Sequence, residues 1–260
     1  GNRTGQDDGQ NLSGRHRHAC RPCAACASGD PDQRFACVLP DLHRGIRLCA
    51  VYRLRLISSE AIKVRGPDNK IIITRDILYA KFFDRKNDTL HCFVNHWPSR
   101  YGGEKETIFL REITAKLLKS KVDSIIRSNN YIPNIIVMGD FNDTPYDKSI
   151  LNVLKAKPIE SFSRNDTLIN LFSDSKRLGF EGTLKYQYRW QIFDQIIISS
   201  SLLDGKSIYY RKKSASIFHH DFLLIDDDNY GGKKLFRTYL GPKYQGGYSD
   251  HLPVYIDLYH

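Results

Sequence analysis

From residue 60 onward the chain alternates between short apolar, β-branched runs and polar clusters. Residues 70–83 and 89–96 are two such runs, separated by Asp84-Arg85-Lys86-Asn87-Asp88, and the pattern predicts an antiparallel hairpin. Between residues 104 and 128 the spacing changes. Ile108, Phe109, Ile113, Leu117, Leu118, Val122, Ile125 and Ile126 recur at a helical period opposite a lysine-rich face, which predicts an amphipathic helix packed on a sheet. Residues 134–139 read as the next strand. A short helix is expected over 145–154, with Thr144 as its cap and Pro145 in its first position. Residues 185–199, 207–218 and 252–258 read as further strands, and 241–247 as a mobile loop. Strands and helices repeated around one core predict an α/β fold.

Four of the apolar runs, residues 90–94, 135–138, 196–198 and 252–258, carry polar groups at one end. These are Asn95-His96-Trp97, Gly139-Asp140-Phe141-Asn142-Asp143, Phe193-Asp194-Gln195 and Ser249-Asp250-His251. Runs of this kind read as buried strands, and carboxylates and imidazoles at strand ends can converge on one rim of a sheet. The layout predicts an active site.

Taken in order, the four stretches resemble the endonuclease/exonuclease/phosphatase superfamily, which includes deoxyribonuclease I and cleaves phosphoester bonds with a divalent metal. Ile72-Ile73-Thr74-Arg75-Asp76 and Gly182-Thr183 are similar to the wording of one bacterial branch. The resemblance implies a two-sheet α/β sandwich and a hydrolase using Mg²⁺, with Mn²⁺ as a substitute. It implies that Asp250 belongs to the metal cluster. Asp140 and Asn142 are implied to hold the attacking water and a phosphate oxygen, and to touch a second metal position. Asp194 is implied to accept a hydrogen bond from the His251 ring, which then donates to phosphate or serves as acid/base. His96 is expected to face the scissile phosphate. Ser99 and Arg100 follow it and are candidates for phosphate binding, against a plain surface role for Arg100. The expected substrate is a phosphodiester, nucleic acid included, because the family carries several substrates on one chemical core.

The opening of the chain has a different composition. The first 62 residues contain no Lys and no Ile precedes Ile46, whereas both are frequent from Lys63 onward. Residues 1–43 show no period of strand or helix and are expected to be disordered, with the catalytic domain over 44–260. In the resembled family this region supplies a strand ending in a catalytic Asn and a strand ending in a metal-binding Glu. Asn2 and Asn11 lack a preceding apolar strand, and Glu60 lies past the place of the metal Glu. The sandwich is therefore expected to be incomplete at its N-terminus, with apolar surface laid bare on the strands of residues 71–73 and 135–137. A catalytically impaired remnant of the fold is the alternative to an active enzyme.

Other features change the picture less. Cys20, Cys23 and Cys26, with His16 and His18 nearby, have part of a metal-binding spacing but lack a second ligand pair, so incidental thiols are the preferred reading. Cys92, Trp97 and Trp190 read as core. His219-His220-Asp221 is left out of the site because strand alternation would point its two histidines to opposite faces. A net charge of +10 suits a polyanionic substrate but also favours solubility. No apolar run reaches the roughly 20 residues of a membrane span and no charged-then-apolar leader opens the chain, so neither a span nor a signal peptide is expected and location stays open. A monomer is expected.

Overall fold

The computed structural model describes residues 36–38, 50–52, 54–66, 74–83, 88–203 and 208–259, with backbone alone for 36–38 and 50–52. The cysteine cluster at 20–26, Asn2, Asn11 and residues 71–73 lie outside the described residues. Strand β1 (Ala36–Val38) pairs antiparallel with β2 (Ala50–Tyr52), so part of the stretch that lacks a burial pattern in the sequence is nonetheless paired.

The main sheet begins with β3 (Arg55–Ile62), β4 (Ile77–Phe83) and β5 (Thr89–His96), joined antiparallel. Helix α1 (Glu104–Arg127) then crosses over to β6 (Asn134–Asp140), which runs parallel to β5. A π-helical turn, Ser149–Leu154, leads to β7 (Ala156–Pro158) and β8 (Leu168–Asn170). The hairpin of β9 (Leu184–Tyr186) and β10 (Arg189–Gln191) precedes β11 (Asp194–Ser199), which inserts between β6 and β8. The resulting seven-stranded order is β3-β4-β5-β6-β11-β8-β7.

Successive residues of the central strands feed two separate cores, which is why their sequences are apolar throughout. Phe93, Ile135, Val137 and Ile197 face α1 and its Ala115, Leu118 and Val122. Cys92, Ile136, Ile196 and Ile198 face the opposite layer with Ile217, Leu223 and Leu252. That layer contains β12 (Tyr209–Tyr210), β13 (Ser216–Ile217), β14 (Leu224–Asp226), β15 (Lys233–Leu235), β16 (Tyr239–Leu240), β17 (Lys243–Tyr244), β18 (Val254–Tyr255) and β19 (Leu258–Tyr259). They pair as short two-stranded ladders.

Several expectations are corrected. The strand at 135–137 is not laid bare: β6 is paired on both sides and Ile135, Ile136 and Val137 are buried. The run 185–199 is broken by a turn at Gln187, which holds a left-handed φ of 54°. The run 207–218 is likewise split around Lys213, at φ 68°. Residues 241–247 include half of the β16–β17 hairpin rather than a free loop. The 145–154 helix starts only at Ser149, as a π-helical turn. On α1, Phe109 is 54% exposed while Arg111 is fully buried. Trp97 and Cys92 are core, as expected. No helix among the described residues is long and apolar enough to cross a membrane.

Candidate active site

The register of three neighbouring strands places the strand-end residues side by side. His96 ends β5 opposite Asp140 at the end of β6, and Asp140 lies opposite Asp194 at the start of β11. Just beyond, Phe141 N–H donates to the Phe193 carbonyl and Trp97 N–H to the Asp140 carbonyl, so the three strands stay joined past their last ladder pairs. Gly139 makes this close approach feasible. At its φ of 132° a Cβ would lie 2.0 Å from the Asn95 carbonyl oxygen, a distance no side chain survives.

Asp140 and Asn142 form one unit. Asn142 takes a left-handed φ of 51°, which asparagine tolerates better than most residues, and its N–H donates to Asp140 Oδ1 at 2.8 Å. Its side-chain amide donates to Asp140 Oδ2 at 3.0 Å and to the Trp97 carbonyl at 3.1 Å. His96 Nε2 sits 3.2 Å from Asp140 Oδ2. His251 Nδ1 is 2.6 Å from Asp194 Oδ2. Thr183, fully buried, holds this pair from behind: its hydroxyl accepts the N–H groups of Phe193 and Asp194, and its carbonyl accepts that of Leu252.

These surroundings separate the protonation states. Burial pushes the Asp140 carboxyl up to about 6, helped by the neighbouring Asp194 charge and opposed by His251. Burial pulls His251 down, but the hydrogen bond and charge of Asp194, with Asp140 and Asp250, raise it to about 9. Burial lowers His96 to about 4, reinforced by the charges of Arg75 and His251. At neutral pH the site therefore holds a charged His251 beside a neutral His96.

Arg75 is the residue that sequence reasoning did not single out, although it stands within the Ile72–Asp76 wording. Its charge reaches both Asp140 and His96, and its buried Nε has no hydrogen-bond partner among the described residues. Arg100, a candidate for phosphate, is committed elsewhere. It pairs with Glu104 at 2.6 Å, Asp147 at 2.8 Å and Asp143 at 3.1 Å, donates to the Asn142 carbonyl, and lies over the Phe193 ring. It supports the Asn142 loop instead. Ser99 is exposed and its hydroxyl accepts only a long contact from Tyr101 N–H among the described residues. The wider support was not legible either: Asp143 is bound by Arg111 and Ser149, and Asp147 rather than Asp143 accepts the Thr144 N–H.

The sequence pattern of the Endonuclease/Exonuclease/phosphatase family matches residues 37–260. The chain belongs to this family. A family protein from Bacteroides thetaiotaomicron is similar at 15% identity and TM-score 0.54, over 86% of this chain and 75% of its own. D. rerio TDP2 complexed with a single-strand DNA product is similar at 14% identity and TM-score 0.50, over 87% of this chain and 77% of its own. A mannosyl-6-phosphatase from Bacteroides thetaiotaomicron is similar at 14% identity and TM-score 0.50, over 88% of this chain and 78% of its own. A search of curated proteins finds no match. At these identities the neighbours establish the α/β fold of the family, and family membership supports phosphoester hydrolysis as the chemistry of the site.

The family generally depends on a divalent metal, and the donor set suits one. Ligand atoms of Asp140, Asp194 and His251 lie within 4.8 Å of one another. Asp250 is near enough for its charge to act on His96 and His251. Three carboxylates thus face the charges of His251 and Arg75, which leaves negative charge to be neutralised by a cation. The free donors are carboxylate oxygens, the choice of hard ions, while His251 Nδ1 is already taken by Asp194.

Proposed function

We propose that this protein hydrolyses phosphodiester bonds, nucleic acid being the substrate class to test first, with Mg²⁺ or Mn²⁺ at the Asp140 and Asp250 side of the site. The observation that carries the reading is the 2.6 Å Asp194–His251 pair set beside Asp140 in the same row of the sheet. Asp194 fixes the ring of His251 and keeps it charged, so that its Nε2–H can donate to a phosphate oxygen or leaving group. Asp140 is positioned to accept a proton from the attacking water. Its pKa near 6 makes it a base at neutral pH without making it inert. Neutral His96 and the amide of Asn142 keep that carboxylate oriented, and Arg75 supplies a cation for the substrate phosphate. A bound divalent ion would polarise a phosphate oxygen and offset the negative charge that builds on the phosphoryl and leaving oxygens.

Turnover should follow a bell in pH. Activity requires Asp140 ionised and His251 protonated, groups that without a cation titrate at about 6 and about 9, so it rises on the acid side and falls on the alkaline side. Rate measurements from pH 5 to 10 on bis(p-nitrophenyl) phosphate test the assignment. With metal bound the acidic limb should lie below about 6, because a cation favours the ionised carboxylate. A flat profile would remove both groups from the rate-determining chemistry. The metal requirement is tested directly with plasmid DNA, RNA and bis(p-nitrophenyl) phosphate in Mg²⁺, Mn²⁺ and excess chelator. Chelation should abolish turnover, and undiminished rates in chelator would sink the mechanism.

A second reading, low turnover through weak metal retention, is favoured by one feature. Glu60 projects from an exposed strand and pairs with Lys121 at 3.1 Å, and among the described residues no Glu joins the carboxylate cluster. Mg²⁺ titration separates the readings: saturation at low metal supports the full enzyme, and a rate still climbing at high metal supports the impaired one.

A further inference from the structure

A cavity of about 420 Å³ lies in the C-terminal hairpins, apart from the row of strand-end residues. Its floor is an ion pair withdrawn from water: Lys185 Nζ is 2.8 Å from Asp227 Oδ2, both side chains being about 5% exposed or less. Lys185 also donates to the Gly231 carbonyl, and Asp227 Oδ1 accepts the N–H groups of Asn229 and Tyr230. The turn carrying Tyr230 is thereby fixed before any ligand arrives. Around the floor stand Tyr186, Tyr230, Phe236 and Leu240, of which Tyr186, Tyr230 and Leu240 are each more than half exposed. Large apolar side chains held open around a concavity of this size are a feature of binding sites.

Two further cations line the same cavity. Lys234 keeps a 3.7 Å contact with Asp227, while Arg237 has no carboxylate partner among the described residues. A partly buried arginine in a cavity that aromatic side chains also line suits a planar group bearing an anion.

The cavity is also tied to the catalytic pair from two directions. Lys185 lies two residues after Thr183, the residue that holds both Asp194 and Leu252. On the other wall, the Phe236 carbonyl accepts Tyr248 N–H and the Arg237 carbonyl accepts Gly247 N–H, just before Ser249-Asp250-His251. Two or three residues of extended chain span at most roughly 7–11 Å, so both walls of the cavity are only short lengths of backbone away from the catalytic pair.

We propose that this cavity is a second substrate subsite that takes one nucleotide unit next to the scissile phosphodiester, its base against Tyr230 and Tyr186 and its phosphate on Arg237 and Lys234. The proposal rests on the phosphodiester reading above and names the part of the substrate that extends beyond the cleaved bond. Bases of any identity stack on such rings, so recognition here is of nucleotide and charge rather than of sequence.

The test is calorimetric titration of the whole chain with deoxyadenosine 5′-monophosphate, inorganic phosphate and mannose 6-phosphate. The nucleotide should bind more tightly than either other probe. Tyr230→Ala and Arg237→Gln should each weaken it by about fivefold to a hundredfold, the size of one base–aromatic stack or one charge-assisted contact. Arg237→Lys should recover part of the loss. Should Tyr230→Ala melt well below the parent, Tyr186→Ala replaces it, since that ring is largely exposed. Nucleotide affinity unchanged in well-folded variants, no nucleotide binding at all, or cavity-dependent binding of mannose 6-phosphate in its place would each overturn the subsite. Hydrolysis of bis(p-nitrophenyl) phosphate by the parent chain is measured alongside. Turnover without cavity-dependent nucleotide binding removes the subsite and leaves the phosphodiesterase reading. Cavity-dependent nucleotide binding without turnover leaves a nucleotide site in the cavity but overturns both the phosphodiesterase reading and the placing of that site beside a cleaved bond.

Discussion

Replacing His251 with alanine is expected to lower phosphodiester turnover by at least about 10², the lower bound typical of a positioned acid/base group. The loss has two parts. A donor held charged up to about pH 9 disappears from the phosphate side of the site, and Asp194 is left as an unpartnered carboxylate beside Asp140. The Asp194 charge, no longer offset by His251, disfavours ionisation of Asp140, so Asp140 should titrate still higher and be less fully ionised at neutral pH. The variant should therefore lose the alkaline limb of the pH profile and have its acidic limb displaced upward. Asp194→Asn separates these effects, because it keeps the ring in place while removing the charge that raises His251. Its alkaline limb should move from about 9 toward the ordinary histidine range. A near-normal rate for His251→Ala, with melting unchanged, would take the residue out of the site.

How much of this was visible beforehand follows from where each residue gets its constraints. The central strands β4, β5, β6 and β11 were legible because both of their faces are largely buried, which leaves an apolar run, whereas the mostly exposed β3 and the three-residue β7 and β8 were not read as strands. The meeting of His96, Asp140 and Asp194 was legible because a residue at the end of such a run has only one rim to face, and neighbouring ends meet in register. The C-terminal ladders were not. Several are only two residues long, too short to show a period, and although Gly231 and Gly241 mark the β14–β15 and β16–β17 turns, the break at Lys213 takes a positive φ with neither glycine nor asparagine to announce it. Arg100 and Arg111 were illegible for a different reason. Nothing local distinguishes an arginine that meets phosphate from one that meets Asp143, since the partner lies more than thirty residues away in the sequence. The helical stripe on α1 misled for the same cause, counting Phe109 as core where burial falls on Arg111.

The largest stability effect should come from that arginine. Arg111 is fully buried, and its Nε donates to Asp143 Oδ1 at 2.7 Å while Nη1 donates to Thr107 Oγ1 at 2.8 Å. Asp143 is also buried and takes further support from Ser149 and Arg100. Removing one member of a buried pair leaves the other desolvated and under-compensated, which costs about 3–5 kcal/mol. Arg111→Ala is thus expected to fall that far in chemical denaturation, whereas Arg211→Ala, which breaks an exposed pair with Asp257, should stay within about 1 kcal/mol. Burial already pushes the Asp143 carboxyl up against the opposing pull of Ser149 and Arg111, so loss of Arg111 pushes it further. A carboxyl raised in the folded state binds its proton more readily there than in the unfolded chain. The deficit of the variant should accordingly shrink as pH falls toward the carboxylate range, opposite in sign to ordinary acid denaturation. Activity should fall with stability. The Asp143 carbonyl accepts Gln195 Nε2 and its side chain anchors Arg100, which in turn holds the Asn142 carbonyl. Loosening Asp143 therefore releases the turn that sets the angle of Asp140. Arg111→Met combined with Asp143→Leu should recover much of the stability, because no buried charge is left over, yet little of the turnover. Equal recovery of both would show that the pair serves packing alone and has no part in orienting Asn142.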